Sequence, residues 1–379
     1  MRQVFILLVL GLAVACAHPG SGGSESPEAP PATVLHAAEA LQRAADARSQ
    51  SGAFSGVVLL AYQGQPVVKK AYGLADRESG TPVTLTTRFV TASVTQTFTA
   101  VAVMQLIAKG DLSAETPVGT VLPEIPSAEL KAVNVGQLLT HTSGVQGGVR
   151  SAPFRKDPAR FASFHDYVQL AIAEPTKASG SFLYSDGGYA LLGAVVQRVS
   201  GEPFGTYLEN HVFRPAQMDQ TVFRLRPRPA QLARGYTGRS IEGLTRAAGS
   251  SLAANDPILP TMASPGVGAA STVEDLLRFA EALRTHRLLD AGSTAELLRG
   301  RVSTGLDPPN ERFGNGFFDG RVGRLHVVQH GGTGPGIDVC FDLYPELETT
   351  LIILSNLDPP AAQQLREVVR IELGGQPAS

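Results

Sequence analysis

Apolar positions change their period along this chain, and the changes mark out its elements. From Val34 to Arg48 they recur at helical spacing, whereas Gly56-Val57-Val58-Leu59-Leu60-Ala61-Tyr62 is an uninterrupted apolar run, which predicts a strand. The turn Gln63-Gly64-Gln65 joins it to a second strand, Pro66 to Tyr72, so the pair reads as a hairpin. Near the other end, Leu325 to His330, Asp338 to Tyr344 and Thr349 to Leu354 read as three more strands, followed by a helix near Ala361 to Leu373. Between these ends the pattern is mostly helical. Phe98, Val101, Ala102, Met104, Leu106 and Ile107 recur at helical spacing until Lys109-Gly110-Asp111, which predicts a helix with Ser93 in its first turn and Gly110 as its C-terminal cap. The expected fold class is therefore α/β. One antiparallel sheet is built from both chain ends and flanked by helices, and a mainly helical subdomain over about 95–270 interrupts it.

The first residues carry a different pattern. Arg2 precedes the apolar run Val4 to Ala15, which is too short to span a bilayer and has the character of a secretory leader. Ala13-Val14-Ala15-Cys16 resembles a bacterial lipobox, with Cys16 as the lipidated first residue of the mature chain; ordinary cleavage before Cys16 is the competing reading. Residues 1–16 are thus expected to be a lipoprotein-type signal, 17–33 a Gly-, Ser- and Pro-rich tether, and 34–375 the folded domain. The expected location is exported in a bacterium. The chain is either lipid-anchored to the cell envelope, at the outer membrane if the cell is Gram-negative, or periplasmic. With Cys16 consumed, Cys340 has no partner for an intrachain disulfide, and its alternating surroundings suit a small core residue.

Composition narrows the function. The chain has 379 residues, 43% of them hydrophobic, which is ample for a sizeable core. Its net charge of −2, without a basic stripe, argues against nucleic acid as a partner. No spacing suits zinc, a phosphate loop or a dinucleotide, so no cofactor or metal is expected.

The candidate chemistry centres on Ser93-Val94-Thr95-Gln96. Residues i and i+3 share a helix face, so position 96 lies one turn above the Ser93 hydroxyl. Four further segments follow in order: Leu138-Leu139-Thr140-His141-Thr142-Ser143-Gly144, Tyr184-Ser185-Asp186-Gly187-Gly188, Gly266-Val267-Gly268-Ala269-Ala270-Ser271, and His330-Gly331-Gly332-Thr333-Gly334. Together the five resemble the serine β-lactamase, penicillin-binding protein and esterase family of class C type, over about residues 35 to 370. The resemblance implies a β-lactamase/transpeptidase-like fold with its cleft between sheet and helical part. It implies Ser93 as acylated nucleophile, Tyr184 as the phenol of the Tyr-x-Asn element, and Asp186 in place of its Asn. His330, Gly331, Gly332 and Thr333 match the substrate-binding strand, with the Ser93 and Thr333 N–H groups as oxyanion hole. His141 falls in a scaffold turn of that pattern. Gln96 stands where the family has lysine.

That replacement matters chemically. A serine hydroxyl needs a neighbour to take its proton, and a neutral amide cannot do so. The six lysines, Lys69, Lys70, Lys109, Lys131, Lys156 and Lys177, form neither a second Ser-x-x-Lys nor a Lys-Thr-Gly; Lys177, in a loop seven residues before Tyr184, is the candidate substitute. General acid–base assistance is worth about 10²–10⁴ in rate, so acyl transfer is expected to be strongly attenuated. Whether the protein is an enzyme stays open between two readings. One is a serine hydrolase acting on an ester, amide, β-lactam or cell-wall peptide; the other is a silent pseudoenzyme that binds cell-wall peptide or a protein partner at the envelope. Either way the partners are a small-molecule or peptidoglycan-peptide ligand, and the membrane through Cys16.

Overall fold

The computed structural model describes residues 28–174, 176–177, 179–239, 251–306 and 310–374. The expected leader with Cys16, and residues Asp307, Pro308 and Pro309, lie outside them.

Helix α1 spans Ala32–Gln50, and its buried Val34, Ala37, Ala38, Leu41 and Ala45 form one stripe at three- and four-residue spacing. Strands β1 (Gly56–Tyr62) and β2 (Gln65–Tyr72) follow as a hairpin. Its loop is two residues, Gln63 and Gly64, both at positive φ, as a tight primed turn requires. The longest helices of the middle of the chain are α2 (Thr95–Ala108), α3 (Asp186–Ser200) and α4 (Val273–Arg284). Strands then return: β3 (Val302–Ser303), β4 (Arg312–Phe313), β5 (Phe318–Val322), β6 (Leu325–Gly334), β7 (Ile337–Tyr344) and β8 (Thr349–Ser355). Helix α5 (Gln363–Glu372) follows them.

These strands form one antiparallel sheet in the order β2-β1-β8-β7-β6-β5-β4-β3. The two ends of the chain meet where β1 pairs with β8, Gly56 opposite Ser355 and Tyr62 opposite Thr349. This is the sheet expected from both termini. β1 is buried at every position because both faces of the sheet are covered. Val57, Leu59 and Ala61 pack with Ile352, Phe341 and the α4 residues Leu276, Phe279 and Leu283. On the opposite face Val58, Leu60 and Tyr62 pack with Leu41 of α1 and with Leu365 and Val369 of α5. Cys340 is fully buried in this second layer, as its surroundings suggested. Where both faces are apolar, alternation disappears from the sequence, and only the uninterrupted run remains.

The first layer continues into the helical part. Phe98 of α2 meets Phe279 of α4 edge to face at 4.9 Å and Phe213 at 5.3 Å. All of α2 from Thr95 to Met104 is buried, so this helix is a central post between the sheet and the other helices. Ser93 does not lie in its first α-helical turn. It sits just before it, in the 3-10 turn Ala92–Val94, and the far end stops at Lys109 with Gly110 at φ +80°.

Candidate active site

Local chemistry holds the Ser93 turn in an unusual shape. Ala92 has φ +44°, the left-handed region that residues with a Cβ seldom occupy. The segment Gly268-Ala269 fixes it: Gly268 N donates to Ala92 O (3.0 Å), and Thr91 N and Oγ1 both donate to Ala269 O (2.7 and 2.8 Å). The Thr95 hydroxyl closes the ring by donating to Ala92 O at 2.7 Å and accepting from Ala269 N at 3.0 Å. The glycine-rich fourth segment thus clamps the turn that presents Ser93, which is partly exposed.

Strand β6 supplies the opposite wall. β5 pairs with it only as far as Gln329, while β7 pairs with it through Gly334, so residues 330–334 keep one edge without a strand partner among the described residues. That edge lies against the Ser93 turn. A Cβ on Gly332 would overlap the Thr91 carbonyl oxygen and stand 3.1 Å from Ser93 N, which only glycine permits. Thr333 is exposed at the next position, so the backbone beside the Ser93 N–H is open to a ligand.

Gln96 is fully buried and organises the floor. Its Nε2 donates to the Tyr184 hydroxyl oxygen at 2.7 Å and to Asp186 Oδ1 at 3.4 Å. Its Oε1 faces His141 Nε2 at 3.1 Å, while His141 Nδ1 accepts the Ser185 backbone N–H at 3.1 Å. A backbone N–H can only donate, so Nδ1 carries no proton; the neutral imidazole holds its proton on Nε2 and donates it to Gln96. This fixes the amide orientation. His141 was expected in a scaffold turn, and it is buried there at φ +56°, but it also orients the Gln96 amide.

The floor is electrically quiet. Burial, followed by the charge of Asp186, pushes the Tyr184 phenol far above its ordinary value, although Ser93, Arg150 and Gln96 pull the other way. Burial depresses His141 well below an ordinary histidine, and His330 to about 4, so both are neutral near pH 7. The His330 Nδ1–H donates to Gly331 O at 2.8 Å, leaving Nε2 buried among Phe313 and Phe318 without a hydrogen-bond partner among the described residues. Asp186 is the acidic exception. It begins α3 after the cap Ser185, and burial raises its carboxyl to about 6 against the opposing pull of Arg150 and Gln96.

Ser93, Gln96, Tyr184 and Asp186 therefore converge, the Ser93 hydroxyl facing the Tyr184 phenol, with Gly332 pressed on the Ser93 turn. His330 lies behind Phe313, whose ring also meets His141 at 4.7 Å. The sequence reading missed Arg150, because it sought a substitute only among lysines. Lys69 and Lys70 sit on edge strand β2, paired with Glu274 (2.8 Å) and Asp46 (2.7 Å), and Lys177 is exposed. The Arg150 guanidinium instead lies 5.7 Å from the centre of the Tyr184 ring. The signal for it was the pair Gly147-Gly148 just upstream, which lets its loop press on the start of α3. Among the described residues no cluster of His, Cys, Asp and Glu could hold a metal.

Comparison with known proteins finds relatives over most of the chain. The chain is 31% identical to penicillin-binding protein 4 of Amycolatopsis lactamdurans over 271 residues, 66% of this chain and 67% of that one. It is 30% identical to the esterase EstB of Burkholderia gladioli over 258 residues, 61% of this chain and 65% of that one. Among solved structures, a penicillin-binding protein from Bacillus halodurans superposes with a TM-score of 0.75 at 26% identity, covering 86% of this chain and 99% of its own. The D-amino acid amidase of Ochrobactrum anthropi SV3, complexed with D-phenylalanine, shares the fold at a TM-score of 0.76 and 22% identity, over 89% and 98% of the two chains. The family model for Beta-lactamase matches residues 41–375, nearly the whole folded part, and the chain belongs to that family of serine hydrolases and penicillin-binding proteins.

Proposed function

We propose that the protein is a slow serine acyl-transferase, which accepts the acyl group of an activated ester, amide or lactam on Ser93. The observation that carries this reading is the Ser93 turn: a strained, clamped nucleophile position with its N–H beside the open edge of β6 and its hydroxyl facing Tyr184. Backbone N–H groups held in place act on the oxyanion without needing a charged base, and in other serine hydrolases such groups with substrate binding retain roughly 10³–10⁴ over water. The phenol is held by Gln96 rather than by a cation, so little of it is ionised near neutrality, and the rate is expected to fall by about 10²–10⁴. Intact-mass spectra after long exposure to a fluorophosphonate and to a penicillin test this. An adduct lost in Ser93→Ala is expected; an unlabelled wild type beside a labelled Gln96→Lys variant overturns it.

The neutral floor also favours a second reading, a binding protein for cell-wall peptide or a protein partner. It predicts binding that survives Ser93→Ala, and Ser93-dependent turnover of a nitrophenyl ester argues against it. For location, the reading is export and a lipid anchor on Cys16. No helix among the described residues is long and apolar enough to cross a membrane. Metabolic labelling with a fatty acid, lost in Cys16→Ser, is the test.

A further inference from the structure

A buried phenol that must ionise needs positive charge nearby. Position 96 gives none, and His141 and His330 are neutral near pH 7. Tyr189, whose ring meets His141 at 5.0 Å, donates its hydroxyl to Leu139 O at 2.9 Å and is held uncharged by burial. Ser93 and Gln96 add only neutral dipoles. Asp186 adds negative charge. Among the described residues, the remaining charge is Arg150. Its loop reaches the site through Gly147 and Gly148, at φ +88° and +94°, and a Cβ on Gly148 would stand 2.6 Å from Asp186 Cβ. The backbone is thus packed on the first turn of α3, and its next long side chain lies over the face of Tyr184, where a guanidinium is attracted by the ring.

We propose that Arg150 is a positioning residue for acyl transfer at Ser93, supplying from above the Tyr184 ring the positive charge that residue 96 lacks. This rests on the reading of Ser93 as an acylated nucleophile. The reactive form is the Tyr184 phenolate. As the Ser93 Oγ–H bond breaks, the proton passes to the phenolate oxygen while Oγ bonds to the acyl carbon and the carbonyl electron pair moves onto its oxygen. The phenol then returns the proton to the leaving group as the acyl–leaving-group bond breaks. Arg150 enlarges the phenolate fraction and stabilises the ionised Asp186, in agreement with the direction in which it acts on both groups. Because Arg150 is exposed, its charge is screened, and its effect is about fivefold rather than that of a full acid–base group.

The test compares wild type, Arg150→Ala and Arg150→Lys in the full chain. The rate of Ser93 labelling by a fluorophosphonate is followed from pH 5 to 9 at low salt and at about 1 M NaCl, where the screening length is only about 3 Å. Arg150→Ala is expected to be about fivefold slower at low salt above about pH 8, where Asp186 is ionised in both proteins, and the gap is expected to close at high salt. Arg150→Lys is expected to recover most of the rate. Independently of activity, carbon-13 labelling of aspartate side chains, with Asp186→Asn assigning the signal, reads the Asp186 titration. Its midpoint is expected to move up in Arg150→Ala. An unmoved midpoint overturns the proposal whatever the labelling does, as does a rate gap that salt leaves unchanged. If no protein is labelled, the acyl-transfer reading fails, and the Asp186 midpoint still decides whether Arg150 sets the charge of the floor.

Discussion

Replacing Gln96 by lysine puts a cation at the centre of the floor, and the consequences can be worked out bond by bond. Gln96 makes three contacts: it donates to Tyr184 and Asp186, and it accepts from His141. An ammonium can keep the two donated bonds, and beside Asp186 it gains an opposite charge. It cannot accept. The Ser185 N–H holds His141 Nδ1 unprotonated, so the proton stays on Nε2 and faces the ammonium without a partner. A buried donor left unsatisfied costs about 1–3 kcal/mol. At about 2.1 cal/mol/K of unfolding entropy per residue, that corresponds to a melting temperature lower by roughly 1–4 °C in a domain of this size. The gain lies in rate. A positive charge in contact with the Tyr184 oxygen favours phenolate, and full acid–base assistance is worth about 10²–10⁴. Asp186 neutralises part of the new charge, so Gln96→Lys is expected at the lower end of that range and Gln96→Lys with Asp186→Asn at the upper end. Initial rates of fluorophosphonate labelling measured by intact mass, with melting curves on the same samples, provide the assay. A folded Gln96→Lys protein labelled no faster than wild type refutes the idea that missing charge limits the site.

Other expectations follow from the same geometry. Asp186 has a folded value of about 6 against an ordinary 3.8, so between those pH values the folded state keeps a proton that the unfolded chain has lost. Stability therefore falls as pH rises through the window, by about 3 kcal/mol in all. Chemical denaturation is expected to find Asp186→Asn level with wild type near pH 4 and more stable at pH 7, less roughly 0.5 kcal/mol for the lost carboxylate at the start of α3. His330 runs in the opposite sense. Its folded value of about 4 lies below an ordinary 6.5, so stability is lost as pH falls between them, by about 3 kcal/mol, and His330→Gln is expected to flatten that acid limb. Gly332→Ala pushes a methyl into the Thr91 carbonyl; it is expected to cost about 1–3 kcal/mol in denaturant melts and to slow Ser93 labelling by at least about 10²-fold. Unchanged labelling there would show that the approach of β6 to the Ser93 turn is not needed.

The sheet was legible because β1 and the centre of β8 are apolar on both faces and stand out as runs, while β7 still alternates through its buried Asp338 and Asp342. The site was legible where chemistry demands a residue type. Gly332 must be glycine because the turn touches it, and Ser93 and Tyr184 share a hydrogen-bonded floor. Two features were not legible. The left-handed conformation of Ala92 is imposed by bonds to Gly268 and Ala269, more than 170 residues away, and alanine itself carries no preference for it. The coupling of His141 to Gln96 likewise joins a turn to a helix 45 residues earlier, and only the fold brings the two amphoteric groups within 3.1 Å.

Gln96 and Asp186 are better understood as one change than as two. Gln96 Nε2 donates to Asp186 Oδ1 at 3.4 Å, both residues are buried, and each differs by one unit of charge in the negative direction from the Lys and Asn that the family resemblance implies there. A lysine at 96 facing this aspartate would be held as an ammonium by the ion pair, which stabilises its charge and weakens it as a proton acceptor. An amide facing the aspartate avoids that trap: it donates to the carboxylate and to Tyr184 and leaves the ring oxygen free to face Ser93. The floor then needs a cation from elsewhere, held at a distance and open to solvent so that it does not collapse onto Asp186. Arg150 over the Tyr184 ring has that placement. On this argument the missing lysine is only half of the substitution, and restoring it without removing Asp186 returns only part of the rate.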